Sequence, residues 1–172
     1  MSSLSDKPIV GTVKGRFVSS SGGETGAFVE NNTACVKASD AIAAAYAGDT
    51  SLVPRKVAFL YSTQQKELSI NQETTWLDVV NSGYSMNIVN FSYRPTVDSN
   101  LVTFHAMTQG DLSGNIYAAC LLGDTRSGRD DEYEVLAIVD LGGRKKPDDF
   151  ELSIDWTVKF KYGSSMEDEY FS

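Results

Sequence analysis

The chain has 172 residues, of which 41% are hydrophobic and 22% charged, so it has enough apolar mass for one core and is not globally disordered. Its formal net charge of −8 excludes non-specific binding to nucleic acid and disfavours an anionic membrane surface. No apolar run approaches the ~18–20 residues that span a bilayer, and residues 1–8 lack an apolar signal segment. We therefore expect synthesis and use in the cytosol, or delivery by a route other than secretion, and no membrane partner.

Residues 1–30 are rich in serine and glycine and poor in large apolar side chains. A β-like piece at residues 9–18 shows no clean apolar face, and a second piece follows at residues 27–30. We interpret residues 1–30 as an extended N-terminal arm that pairs or packs at an edge and lies outside the core. The sandwich domain is expected at residues 31–162, followed by an acidic C-terminal tail at residues 163–172.

One clear helix is predicted at residues 39–47. Ser39 or Asp40 can cap its start, and the alanine-rich run that follows favours helix. Ile42 and Tyr46 lie four residues apart and form a small apolar stripe. Gly48 follows where a left-handed C-cap is favoured.

Residues 56–61 form the next predicted strand, with alternate apolar residues on one face. Residues 74–80 predict a short helical segment, because Trp76 and Val80 are four residues apart and Gly83 follows. Two further strands show alternating apolar side chains, at Val89, Phe91 and Tyr93 and at Val102, Phe104 and Ala106.

Residues 115–122 and 133–140 are apolar at both parities, which is typical of strands buried on both faces and therefore placed mid-sheet or at a subunit contact. The last predicted strand, at residues 150–162, has the cleanest alternation. Its apolar face comprises Phe150, Leu152, Ile154, Trp156, Val158, Phe160 and Tyr162. The length of this strand suggests that part of it runs beyond the sandwich toward a neighbour.

These patterns predict a mainly β fold. We expect an antiparallel β-sandwich, jelly-roll or Greek-key-like, with one or two short helices.

The search for chemistry finds no catalytic, cofactor-binding or metal-binding residues. The single histidine, His105, is expected on the outer face of its strand, opposite Val102, Phe104 and Ala106. Cys120, on the next predicted strand, is expected to be buried, so the two side chains should not form a catalytic pair. Cys35 and Cys120 are interpreted as buried thiols, because their neighbours are small or apolar. The acidic residues near positions 124–132 and 148–149 do not match a calcium-binding loop, and the Arg144-Lys145-Lys146 triplet is expected to pair with local carboxylates.

A resemblance is carried by the order of the sheet motifs. They are Pro54-Arg55-Lys56-Val57-Ala58-Phe59, Asn100-Leu101-Val102-Thr103-Phe104-His105-Ala106, Gly114-Asn115-Ile116-Tyr117-Ala118, Val135-Leu136-Ala137 and Ile154-Asp155-Trp156-Thr157-Val158-Lys159-Phe160. This order, over residues 54–162, resembles small β-sandwich proteins of tailed-bacteriophage virions, the capsid decoration and tail-accessory proteins. Ala118-Ala119-Cys120 depart from the fibre-like version of the pattern, which has glutamate and glycine after the Gly-Asn turn.

The resemblance implies a non-enzymatic structural protein of a virus particle, located in the virion. It would act through contacts with capsid or tail subunits and as a homo-oligomer. One alternative is a carbohydrate- or receptor-binding module of a phage tail or fibre that uses exposed tyrosines as stacking platforms. Another is a small hydrolase that uses His105.

Overall fold

The computed structural model describes residues 9–124 and 132–160. Within these ranges the chain forms ten strands and two helices. In chain order they are β1 (Ile9–Ser19), β2 (Glu24–Asn31), β3 (Thr33–Ala34), α1 (Val36–Tyr46), β4 (Pro54–Ser62), α2 (Trp76–Asn81), β5 (Ser85–Asn90), β6 (Thr96–Asp98), β7 (Leu101–Met107), β8 (Asn115–Asp124), β9 (Tyr133–Lys145) and β10 (Phe150–Phe160).

The strands form two five-stranded sheets, and every pairing is antiparallel. The first sheet has the order β2-β1-β10-β7-β6 and the second the order β3-β9-β8-β4-β5. A core that includes Phe59, Leu141 and Trp156 lies between them. The predicted β-sandwich is confirmed.

The last four strands connect the two sheets. β7 and β10 are neighbours in the first sheet, whereas β8 and β9 form a hairpin in the second. The fourth strand therefore returns beside the first, as in a Greek key, and a simple meander is excluded.

β10 confirms the register predicted for its apolar face. Leu152, Ile154, Trp156 and Val158 are all buried. All eleven of its residues pair with β1, so this part of the strand stays within the sandwich. The predicted continuation at residues 161–162 and the acidic tail at 163–172 lie outside the described residues.

The prediction that the N-terminal segment is an arm outside the core is wrong from Ile9 onward. β1 lies between β2 and β10, and its Val13 and Phe17 are buried in the central core. The other two inward positions are Gly11 and Gly15, which hide the alternation from a reading of side-chain hydrophobicity. Gly15 is required because a Cβ there would overlap the ring of Phe28. The sandwich domain thus begins before residue 31.

A second core covers the outer face of the second sheet. Trp76 and Val79 of α2, together with Tyr84, pack there against Leu60 and Cys120. This layer explains why β8 and β9 are apolar at both parities, because one face of each strand packs on the first sheet and the other face packs in the layer that contains α2.

Helix α1 begins earlier than predicted. Its N-cap is Cys35, which makes no side-chain cap hydrogen bond, and the predicted caps Ser39 and Asp40 lie inside the helix. The buried side chains are Ala41 and Ala44, whereas Tyr46 is 91% exposed, so the predicted Ile42–Tyr46 stripe does not face the core. Gly48 has the expected positive φ of 89°.

Helix α2 confirms the predicted short helical segment. A capping box starts it: the Asp78 N–H donates to the Thr75 side chain, and Asp78 Oδ2 accepts from the Thr75 N–H. Trp76 and Val79 face inward, but Val80 is 44% exposed, so the expected Trp76–Val80 pair is not the buried one.

Candidate functional site: an apolar cleft at one end of the sandwich

A bulge in β9 shapes one end of the sandwich. Leu121 pairs with Ala137 and Leu122 with Val135, so Leu136 is an extra residue in β9. An extra residue bends a strand and re-aims its side chain. Leu136 packs with Ala41, Ala44 and Leu52, and this contact holds α1 beside the sheet.

Two cross-strand rows of residues face each other beneath α1. In the first sheet, Gly11 pairs with Val158 and Val158 pairs with Val102. In the second sheet, Ala137 pairs with both Ala34 and Leu121. Packed sheets lie ~10 Å apart, and Gly11, Ala34 and Ala137 are too small to fill that distance.

One row further inward, the same sheet is filled by large side chains. Val13 pairs with Trp156, which pairs with Phe104. Val13 and Trp156 are completely buried, and Phe104 is 8% exposed. The gap is therefore confined to the end of the sandwich.

The result is an open cleft of about 990 Å³, which we call the end cleft. Its walls are the two rows described above, the inner face of α1 with Ala38 and Ala45, and the β6–β7 turn with Asn100. Alanine and glycine at many of these positions leave the space that larger side chains would occupy.

The end cleft is lined by twenty described residues, and none of them is charged. The polar groups are the amides of Asn32 and Asn100 and the hydroxyls of Ser39, Ser99 and Tyr46. Asn32 is held in place because its Oδ1 accepts a hydrogen bond of 3.0 Å from Trp156 Nε1. An uncharged wall with a few neutral hydrogen-bonding groups is typical of a site for small apolar molecules.

A second candidate site is the surroundings of His105 on the outer face of the first sheet, where the sequence predicted the side chain. His105 Nε2 lies 3.0 Å from Ser153 Oγ and 3.8 Å from Asp155 Oδ1, and the ring stacks on Tyr93 at 4.7 Å between centroids. Nδ1 is buried and has no hydrogen-bond partner.

This arrangement does not form a catalytic triad. In a triad the serine contacts one ring nitrogen and the carboxylate orients the other, whereas here both approach Nε2. Burial lowers the pKa of His105, and Arg16 lowers it further, against the opposing effect of Asp155. The imidazole is therefore neutral at neutral pH.

Cys120 cannot act with His105. The thiol is completely buried in the outer core of the second sheet, whereas His105 lies on the outer face of the first. Both cysteines are free and buried, which confirms the prediction of two buried thiols. Burial and, to a smaller extent, Glu73 raise the pKa of Cys35 to about 11, and burial raises the pKa of Cys120 well above its usual range. Neither is an activated nucleophile.

Two residues of the basic triplet, Arg144 and Lys146, have structural partners. Arg144 donates to Glu30 at 2.9 Å and lies over the ring of Phe28, so it pairs with a carboxylate, but with one on the distant strand β2 and not a local one. Lys146 instead donates to the backbone carbonyl of Phe150. Across residues 9–124 and 132–160, no group of three or more potential metal ligands comes together. Most of the 124–132 acidic loop lies outside the described residues.

The tyrosines with described side chains do not form a stacking platform. Among those with described side chains, only Tyr46 on α1 and Tyr93 after β5 are exposed, at 91% and 53%. Tyr93 already stacks on His105, and Tyr84 packs on Tyr117.

Comparisons with protein-family models, with curated proteins and with solved structures found no match. In the part of the chain that the structure describes, no helix is long and apolar enough to cross a membrane.

The sequence contains no indication of the end cleft. Its walls come from small residues on separate strands and a helix, and no short stretch of sequence contains them together.

Proposed function

We propose that the chain is a non-enzymatic structural subunit of a virus particle, of the phage capsid decoration or tail-accessory type, that acts through protein–protein contacts. The β-sandwich fold and the sheet motifs of residues 54–162 support this role. The observation that carries it is an open edge strand, β2.

β2 has one partner, β1, and none of the other described strands pairs with its free side. It is eight residues long, and most of its side chains are exposed. Val29, on this strand, is 60% exposed. Such an edge presents unpaired N–H and C=O groups that can pair with a strand of another chain.

Natural monomers commonly protect a long edge strand with lysine or other charges, proline, a bulge or a short length. β2 contains neither lysine nor proline, so its protection is limited to two glutamates and one bulge opposite Gly15–Phe17. The opposite edge of the same sheet, β6, has only three residues, although its Val97 is 71% exposed. β2 is therefore the better template for assembly, and β6 serves as its control.

The assembly is tested by sedimentation velocity and light scattering on the purified full-length chain. We expect discrete oligomers, and we expect Val29→Lys to shift them to monomer, because a lysine on an edge strand disfavours pairing with another chain. Val97→Lys adds the same charge to the short opposite edge and should leave the oligomers intact. A chain that stays monomeric up to high concentration would argue against strand pairing through β2.

The virion location is tested separately. Mass spectrometry of virus particles, purified on a density gradient from a culture that produces the protein, should find the chain at a fixed ratio to the major capsid or tail protein. Its absence from washed particles would remove the proposed location, whatever its oligomeric state.

A further inference from the structure

We propose that the end cleft is a binding site for a neutral, largely apolar small molecule with one hydrogen-bonding group, of the class of a medium-chain alcohol or ester. This inference does not rest on the proposed role in a virus particle. It follows from the size of the cleft, from its lack of charge and from the placement of its polar groups.

The size of the cleft matches a ligand rather than a packing defect. Native interiors contain few voids larger than a water molecule, whereas ligand pockets measure about 300–1,000 Å³. The end cleft, at about 990 Å³, lies at the upper end of that range. The walls are held by the β1–β10–β7 pairing on one side and the β9–β8 pairing on the other, so the cavity is built into the sheets.

The composition of the walls selects a neutral occupant. Val102, Val158 and Leu121 present hydrocarbon to the cleft, and none of its described lining residues is charged. An ionised group carried inside would lose its hydration without gaining a counter-charge, which is costly. A carboxylate is therefore disfavoured relative to an alcohol of the same chain length.

The polar groups of the cleft offer partners for a single hydroxyl or ester. Ser39 on α1 and Asn100 in the β6–β7 turn are both lining residues. Asn32 is fixed by Trp156, so its orientation is set before any ligand enters. Neutral amide and hydroxyl groups both donate and accept hydrogen bonds, as a hydroxyl ligand requires.

Binding can be followed from within the protein. The chain contains two tryptophans, and Trp76 lies in the other core, so Trp76→Phe leaves Trp156 as a single reporter beside the cleft. Titration of this variant with 1-decanol should change the Trp156 fluorescence in a saturable way. Decanoate at pH 8, which has the same chain length but is ionised, should bind at least about tenfold more weakly.

Matched substitutions locate the site. Ala45 lines the end cleft, whereas Ala47, the C-cap of the same helix, is exposed and does not line the end cleft. Ala45→Leu should weaken 1-decanol binding at least about tenfold by filling the cleft, and Ala47→Leu should leave it unchanged. Urea unfolding of both variants shows whether each remains folded. Alanine-methyl NMR shifts at Ala38 and Ala137 on adding 1-decanol supply a second, direct readout.

Three results would overturn the proposal. They are no saturable response to 1-decanol in the full-length chain, equal affinity for 1-decanol and decanoate, or an equal loss of binding in the two leucine variants. The first result is also the one expected if another part of this chain, or a protein partner, occupies the cleft in place of a small molecule.

Discussion

At the scale of single residues, one hydrogen bond ties the end cleft to the core. Trp156 is completely buried, and its Nε1 donates to Asn32 Oδ1. Gly11 lies directly against the same amide, so a Cβ at this position would overlap the Asn32 side chain. The glycine is therefore kept for close packing, without any need for a positive φ.

Gly11→Ala should destabilise the protein by about 1–3 kcal/mol, because it displaces Asn32 and leaves the buried Trp156 N–H unpaired. Urea unfolding measures the free energy of unfolding. In an Asn32→Ala background there is no amide to displace, so the same glycine substitution should cost much less. Equal costs in the two backgrounds would show that the overlap is not the cause.

His105 gives a prediction for pH dependence. Its ordinary pKa is 6.5, and its pKa in the folded protein is lower, chiefly through burial. Between these two values the unfolded chain binds a proton that the folded chain does not. The stability that His105 contributes is therefore present above pH 6.5 and is lost as the pH falls toward its folded pKa.

His105→Gln should remove this loss while keeping a polar group next to Ser153. The difference in unfolding free energy between wild type and variant should shift in favour of the variant as pH falls from 7 to 5. Urea unfolding at several pH values measures this difference in unfolding free energy. The charged neighbours Asp155, Arg16 and Glu24 are present in both proteins, so their own titration cancels in the difference. A difference that does not change with pH would contradict the lowered pKa.

At the scale of elements, α1 depends on one small cluster. Its buried residues, Ala41 and Ala44, contact Leu52 and the bulge residue Leu136. Alanine supplies little apolar area, so Leu136 provides much of the helix's attachment to the sheet. Local opening of such weakly attached elements occurs with a lower free energy than global unfolding.

Leu136→Ala should therefore lower the free energy of unfolding by about 2–5 kcal/mol, and its effect should fall mainly on α1. Hydrogen exchange followed by mass spectrometry should show faster exchange in residues 36–46 than in β4 or β8. Leu152→Ala, in the central core, is the control and should accelerate exchange across both sheets. Loss of protection spread evenly in the Leu136 variant would show that α1 is not a separate unit.

The elements also show what the sequence could predict. Alternating large side chains fixed the register of β7 and β10, and apolar residues at both parities placed β8 and β9 mid-sheet. Glycine carries no hydrophobic signal, so the inward face of β1, with Gly11 and Gly15, was missed.

Neither the start of α1 nor the end cleft could be predicted from a short stretch of sequence, because both depend on residues that are distant in the chain. The Cys35 N–H donates to the Leu136 carbonyl and the Val36 N–H to that of Gln72, so contacts from distant strands and loops, and no capping side chain, start the helix. Likewise the cleft exists because small residues on separate strands become opposite one another. Neither fact is encoded in a short stretch of sequence.

At the scale of the whole molecule, the second sheet is shared by two cores. Its inner face packs on the first sheet, and its outer face packs on α2 and the preceding loop. Both cysteines lie in the outer core but on different elements: Cys120 is in the middle of β8 and Cys35 is the N-cap of α1. Both are buried in the native state.

The two thiols should therefore report two kinds of opening. At pH 8 both are protonated and protected, since burial raises both pKa values. With single-cysteine variants (Cys35→Ser and Cys120→Ser), labelling by a thiol reagent should be faster at Cys35, because separation of α1 from β9 suffices to expose it. Labelling of Cys120, on the central strand β8, should require loss of the whole outer core, and its rate should rise with urea as steeply as global unfolding does. If the two thiols react at the same rate and with the same urea dependence, α1 and the sandwich open as one cooperative unit, and the weak attachment inferred for the helix is wrong.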